Sequence, residues 1–476
     1  MQKSLSYRNS YHENLHRYAG LKRFFERWSA DPDFKQDLIN NTEDTLKKHA
    51  IPVTVDEINY MIDERITELP QPVQIMWEIS KSKQDLIQSF YLSENLPKDR
   101  GMLAWRNRQI ARQRFDLGPF FTDTNIHSSM TVELSQGCSV GCWFCALSPD
   151  SFKENYNYDD NREEWFRLID TMHSFLGDAM RSTFLYWATE PFDNPDYERF
   201  CLDIYEACGV FPPTTTAVAH KDTERIRRFI ELSADHGCWL NRFSLTSLGI
   251  MSKVHKAFSA EELAEVECLA LNMNTSFAYG NAGNFRKKAL ERPEILSQQD
   301  DKLRKAPWHR FNPDYAGSEE YANGSICCVT GFLINAVSKK IQLISPTTAS
   351  DEWPLGYIIF AEAIYENAAA LEMILQSWSI QYFKEKLQDN DILRFHPWLT
   401  VSVLPDRIEI KGRFNQKEII EEQANPSLYH LVKHITKAPA KLADIRQHVA
   451  INLSIPPQVS DLLINELYKK GFFYGC

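Results

Sequence analysis

Three thiols lie within eight residues of one another in VELSQGCSVGCWFCALSPD: Cys138, Cys142 and Cys145, spaced C-x3-C-x2-C directly after an apolar run. Three thiolates can hold three irons of a 4Fe-4S cube and leave the fourth iron open. A structural zinc site would want a fourth Cys or His nearby, and none follows Cys145 closely. Gly137 and Gly141 allow the backbone to wrap closely round such a group, because glycine tolerates unusual dihedrals. Further along, Glu190 ends an apolar run in YWATEPFDNPD, while Arg242 and Ser244 stand two apart in NRFSLTS and so point the same way along a strand. Both have plain structural readings: an ordinary strand-end carboxylate, and a polar contact from strand to helix. Cys201, Cys208, Cys238, Cys268, Cys327, Cys328 and Cys476 form no second crowded set, so one cluster is the economical reading. Cys201 and Cys208 fall in a helical pattern and read as buried small hydrophobes.

Such groups need elements to hold them. From about residue 125 the sequence alternates short apolar strands (MTVEL, STFLYWA, PTTTAVA, WLNRFSLT and ECLALNM) with amphipathic helices, which implies parallel βαβ units in an open sheet or a barrel. The fold class is therefore α/β, and the unit runs from 119 to 326. Before it, residues 1–118 read as helical, with Leu21, Phe25 and Trp28 at helical spacing and Asp31-Pro32 opening a further helix. Residues 276–324 are polar and aperiodic, which predicts a lid, a binding element or a disordered loop. In 327–390, ICCVTGFLINAV and IQLISP flank Ser338-Lys339-Lys340 as a hairpin, and a bridging helix is expected from roughly Ile358 to Leu387. In 391–476, VSVLP and RIEIKGRF read as paired strands, followed by three helices. The last helix opens at Pro456-Pro457, carries Val459, Leu462, Leu463 and Leu467 on one face, and closes at Gly471 before a terminal strand, FFYG. That arrangement makes a small winged helix.

Composition narrows the partners. Hydrophobic residues make up 43% and charged residues 25%, so a sizeable core is expected over 476 residues. The formal charge of −11 argues against a general nucleic-acid binder. The winged helix itself has ten Lys/Arg against eight Asp/Glu from His396 onward, without the basic footprint of a DNA reader. The N-terminus has no secretory pattern and no run of about 18 apolar residues occurs, so no membrane partner is expected. Crowded cysteines suit a metal site in a reducing, cytoplasmic compartment.

The cysteine spacing, its place after a first strand and the aromatic before the last cysteine resemble the radical S-adenosylmethionine superfamily. The resemblance implies a partial (β/α) barrel and one 4Fe-4S cluster on Cys138, Cys142 and Cys145. Its open iron would chelate S-adenosyl-L-methionine, whose reductive cleavage gives a 5′-deoxyadenosyl radical. It makes Phe144 the aromatic that packs on the adenine. YWATEPFDNPD is similar to the superfamily's Gly-Gly-Glu-Pro element, whose backbone and carboxylate meet the amino group. Here Ala188 and Thr189 replace the glycines, while Glu190 and Pro191 stay in place. Arg242 and Ser244 are then candidates for the carboxylate or ribose, beside their structural reading. An electron donor such as a flavodoxin or ferredoxin is implied.

CSVGCWFC, CCVTGFLIN and LISPTTASDEWPLGY further resemble the epimerases that mature proteusin-type, ribosomally synthesised peptides, over residues from about 130 to 360. The C-terminal unit resembles the recognition elements that add a precursor's leader as an extra strand. FFERWSADPDFKQDLINNTEDTLKKHAIPV resembles nitrile-hydratase-like leader segments, a second reading for what is otherwise an ordinary helical cap. A precursor peptide with such a leader is the implied partner, and conversion of L- to D-residues the implied reaction. A thiol must then return hydrogen to the far face of the α-carbon. Cys328 is the favoured donor and Cys327 the second candidate, since neighbours on a strand face opposite sides. The remaining reading is that both belong to the core. In the relatives a cysteine often follows LISP, where this chain has Thr347. Crosslinking or residue excision by the same radical is the alternative activity, and a non-catalytic peptide-binding protein a remoter one.

Overall fold

A computed structural model describes residues 2–63, 65–273, 275, 278–304, 324–414 and 416–475. Helices fill the first quarter: α1 (Gln2–Arg17), α2 (Ala19–Ala30), α3 (Pro32–Asn40), α4 (Thr42–Lys48), α5 (Val55–Ile62), α6 (Gln71–Gln88), α7 (Arg100–Asp116) and α8 (Pro119–Thr124). A π-helical turn, Ser89–Glu94, continues α6. Asp31 caps α3 by accepting from the Asp33 and Phe34 amides at 3.1 and 3.2 Å, and Pro32 opens the first turn. The buried face of α2 is Leu21, Phe24 and Trp28; Phe25, expected in that stripe, is only partly covered.

The middle of the chain is mixed α/β. Strand β1 (Ser128–Glu133) leads through the short pair β2 (Ser135–Gln136) and β3 (Glu154–Asn155) to α9 (Tyr158–Leu176) and α10 (Tyr197–Cys208). Then β4 (Thr215–Thr216), α11 (Thr223–Asp235), β5 (Arg242–Leu245), α12 (Leu248–Ala257) and β6 (Glu267–Ala270) alternate, giving a parallel sheet β4-β5-β6. STFLYWA does not form a full strand; Phe184 makes one parallel bridge to Thr131 before the chain turns at Glu190. Two helices, α13 (Gly283–Glu291) and α14 (Glu294–Arg304), occupy part of the stretch expected to be a loop; 305–323 lies outside the described residues. Phe285 and Ala289 bury one side of α13, a contact too short-ranged to show as periodicity.

The hairpin is β7 (Val329–Asn335) and β8 (Lys340–Pro346), and β9 (Tyr357–Ile364) extends it to the order β1-β7-β8-β9, with β7 parallel to β1. The helix expected from Ile358 begins only with α15 (Ala368–Gln381), where the Asn367 side chain accepts from the Ala370 amide at 3.1 Å. The preceding residues are instead the strand β9, paired with β8 from Pro346↔Tyr357 to Lys340↔Ile364.

The last unit contains β10 (Ile392–Leu393), β11 (Thr400–Val403), β12 (Arg407–Lys411), β13 (Lys417–Glu421), α16 (Pro426–Ile435), β14 (Ala440–Lys441), α17 (Leu442–Asn452) and α18 (Pro457–Lys469). The strand pair is thus a three-stranded antiparallel sheet, β11-β12-β13, and FFYG contributes one bridge, Phe473 to Phe395. The inward face of α18 is Ser460, Ile464, Leu467 and Tyr468, whereas Val459 and Leu462, expected to pack, are 37% and 72% exposed. Cys476 lies outside the described residues. No described helix is long and apolar enough to cross a membrane.

Candidate functional site

The loop after β1 carries the three motif thiols. The β2–β3 pair closes its base, the Cys138 amide donates to Asp150 O at 3.0 Å, and Phe152 N donates back to Cys138 O at 3.2 Å. Gly137 has φ +80°, and a Cβ there would sit 2.3 Å from Ser151 O, so only glycine fits. From the other side α13 leans in, Asn284 N donating to Cys145 O at 2.9 Å. All three thiols are half-buried and face one cavity of about 380 Å³.

Burial raises the Cys142 thiol to about 12, and the neighbouring Cys145 and Cys138 push the same way. Deprotonating three thiols on one cavity wall sets like charges side by side, which a bound cation would offset. A single small ion is not the fit: among the described residues, the one group of three metal-capable side chains whose ligand atoms all come within 4.8 Å of one another is Glu26, His255 and Cys268. The wider motif triad, opening on a cavity, suits a cluster with one face free.

Every other predicted site residue except Cys327 lines the same cavity. Phe144 stacks on Tyr279, with centroids 4.7 Å apart and planes at 28°. Ala188 and Thr189 form part of the wall, and the Ala188 amide donates to the buried Glu133 carboxylate at 2.8 Å. Glu190 is buried and accepts from Thr216 Oγ1 at 2.6 Å, Ala217 N at 2.9 Å and Phe192 N at 3.3 Å; burial nonetheless lifts its carboxyl to about 7. Its structural reading is therefore realised in the fold, and the same carboxylate still borders the cavity. Arg242 and Ser244 line the wall together, and Arg242 donates to Glu267 Oε2 at 2.7 Å. Arg242's polar contact is thus to the neighbouring strand β6 rather than to a helix, and it is Glu267 that reaches on to Lys83 of α6.

The two candidate donors separate. Cys328 borders the cavity, and burial raises its thiol to about 12, so it stays a thiol at neutral pH. Cys327 faces away, wholly buried beside Phe184, Trp187 and Val329, with its Sγ 3.4 Å from Val329 O. Ser128 N donates to Cys328 O at 2.8 Å, which sets Cys328 level with the start of β1, whereas the motif loop follows its end. The cavity thus runs between a thiol triad at one end and a lone thiol at the other. Thr347 is buried away from the cavity, its hydroxyl donating to Asp116.

No family model matches the chain, and no solved structure matches it. The uncharacterized protein y4wI of Sinorhizobium fredii (strain NBRC 101917 / NGR234) is 31% identical over 428 residues, covering 87% of this chain and 79% of that protein. The chain belongs to the y4wI family. A match of that extent cannot miss the segment from Cys138 to Cys328, so the cavity-forming region of the chain is family territory.

In this y4wI-family member, two wall residues, Tyr279 and Tyr186, and Glu133 behind the wall escaped sequence reading. Tyr279 lies in the polar stretch taken for a loop, which offered no signal. Tyr186, bonded to Thr215 Oγ1 at 2.8 Å, stands two before Ala188, and strand alternation through Phe184, Tyr186 and Ala188 pointed to it. Glu133 also holds Asn335 Nδ2 at 2.9 Å, tying the Ala188 wall to β7; a charged end to an apolar strand was its only mark. Trp143 packs edge-on to Phe144 and under Lys288, and His127 is buried between Thr330 Oγ1 at 3.2 Å and Thr122 O at 2.9 Å, both packing roles.

Proposed function

We propose that the chain is a radical S-adenosylmethionine enzyme that epimerises residues of a ribosomally made precursor peptide. On this reading the strands from β1 to β6 are a partial (β/α) barrel, and Cys138, Cys142 and Cys145 hold one 4Fe-4S cluster. The observation that carries it is the single cavity with three thiols at one end and Cys328 at the other. When bound, the cluster and S-adenosyl-L-methionine would supply a 5′-deoxyadenosyl radical able to take a hydrogen atom from a peptide α-carbon.

The chain's own residues supply the rest. Carbonyls of Ala188 and Thr189 and the Glu190 carboxylate offer acceptors for an amino group, Arg242 offers a cation, and Phe144 with Tyr279 offers an aromatic face. Inversion requires hydrogen from the side opposite to its removal. Cys328, a neutral thiol on the cavity wall, is the donor in this reading: its S–H bond breaks homolytically, the α-C–H bond forms, and a sulfur radical remains. One electron and one proton from the external reductant restore the thiol. The C-terminal unit suits leader capture, because β13 is an edge strand and Ile419, Val459 and Leu462 leave apolar surface in its β13 and α18.

The test begins with anaerobically reconstituted protein, S-adenosyl-L-methionine and dithionite. Formation of 5′-deoxyadenosine, lost in Cys142→Ala, is expected; its absence would sink the radical reading. A precursor with a nitrile-hydratase-like leader is then co-expressed in deuterated water. One deuterium per modified residue, with Cys328→Ala abolishing the label, is the expected result. Loss of hydrogens or backbone excision would replace epimerisation by crosslinking or excision.

A further inference from the structure

Outside the cavity, a second set of metal-capable side chains meets where the N-terminal helices press on the β4-β5-β6 sheet. Glu26 comes from α2, His255 from the last turn of α12 and Cys268 from β6, and one ligand atom of each lies within 4.8 Å of the other two. The site is sheltered: the side chains of Glu26 and His255 are 9% and 5% exposed, and Cys268 is 8% exposed. His255 Nε2 lies 3.1 Å from Glu26 Oε2. Burial keeps the imidazole below its ordinary pKa, so it is neutral and has a lone pair to offer.

Two cations stand nearby, and both have places to be. The Arg23 guanidinium donates to the backbone carbonyls of His255 at 3.4 Å and Phe258 at 2.7 Å, which fixes the end of α12 against α2. Lys22 pairs with the other carboxylate oxygen, Glu26 Oε1. That ion pair accounts for Lys22 and Glu26. The imidazole and the thiol meet the same carboxylate as hydrogen-bond partners in the metal-free chain, which brings an oxygen, a nitrogen and a sulfur donor together.

We propose that Glu26, His255 and Cys268 bind a zinc-class divalent cation that pins α2 to α12 and β6. One oxygen, one nitrogen and one sulfur donor suit Zn²⁺, which takes all three and completes four-coordination with a water. Binding releases the Cys268 proton to solvent and frees Lys22 from Glu26. The Lys22 side chain is 16% exposed and so has a way out. No redox change is involved, and the site needs neither the peptide nor the cluster.

The experiment uses the full chain carrying Cys138→Ala, Cys142→Ala and Cys145→Ala, so that the motif thiols cannot contribute. Co²⁺ and then Zn²⁺ are titrated in chelator-treated buffer, with thiolate-to-cobalt charge transfer and elemental zinc as readouts. One ion per chain with a thiolate band is expected. Adding Cys268→Ser should remove the band, and His255→Gln should weaken binding by more than about 100-fold, beyond what losing an outer partner costs. Lys22→Met should tighten binding by removing the competitor for Glu26. Circular dichroism checks folding, and His255→Gln carries the test if Cys268→Ser misfolds. No thiolate band in the triple variant, or one that survives Cys268→Ser, would overturn the proposal.

Discussion

Two adjacent cysteines have opposite situations, and that difference can be measured. Cys327→Ala removes a sulfur from a packed cluster and should cost about 1–2 kcal/mol, seen as a lowered unfolding midpoint, while deuterium incorporation per folded enzyme persists. Cys328→Ala should do the reverse, with near-normal stability and no label. Stability loss in both, with label retained in both, would return the pair to the core. The thiol triad was legible because its chemistry depends on short spacing, which sequence displays directly. Which of Cys327 and Cys328 faces the cavity depends on how β7 registers with β1, information that resides in residues far away along the chain. Thr347 shows the same limit: its place under Asp116 removes it from the cavity, so a missing thiol there does not remove a donor from this wall.

Strands and helices differ in how much of them a sequence exposes. The alternation of β4, β5 and β6 with α11 and α12 was readable because each helix carries one apolar stripe. β9 was not, since YIIFAEAI runs into AAALEMIL without a break in apolar character and only the Asn367 cap divides them. In α18 the expected face is only partly the packed one: Leu467 and Leu463 pack as expected, while Ile464 and Tyr468 take the places of Val459 and Leu462. A tight joint between central strands is Gly331, where a Cβ would lie 2.1 Å from Ser129 O across the β1–β7 pair. Gly331→Ala must therefore push these buried central strands apart, at a cost of about 3 kcal/mol or more. Chemical denaturation should show an early unfolding transition for this variant, and an unchanged midpoint would mean that the β1–β7 approach is looser than described.

Apolar clusters join the N-terminal helices to the middle of the chain, Met102 and Trp105 with Phe332 and Tyr11 and Leu15 with Trp239, and a buried polar hub adds the C-terminal unit. Asp116 of α7 binds Arg112 Nη1 at 2.8 Å, Arg413 Nε of the C-terminal unit at 3.0 Å and the Thr347 hydroxyl at the end of β8. Elsewhere the fold keeps two buried histidines neutral, and their contribution to stability depends on pH. Burial lowers His127, beneath β7, and His396, in the C-terminal unit, to about 3. A histidine whose folded pKa lies below its unfolded value of about 6.5 contributes its full stability above that value. The contribution drains away as pH falls from about 6.5 toward 3, because the unfolded chain takes up the proton first. At about pH 5 each histidine should have lost about 2 kcal/mol relative to pH 7.5. Glu190, raised to about 7, works in the opposite sense over part of this range, so the comparison must be between variants rather than along one curve. Combining His127→Gln and His396→Gln should therefore raise the urea midpoint at about pH 5 relative to the one at about pH 7.5, compared with the same pair of midpoints in the parent. A difference between the two midpoints that is the same, in sign and size, in the double variant and the parent would show that the buried histidines are not the source of the acid sensitivity.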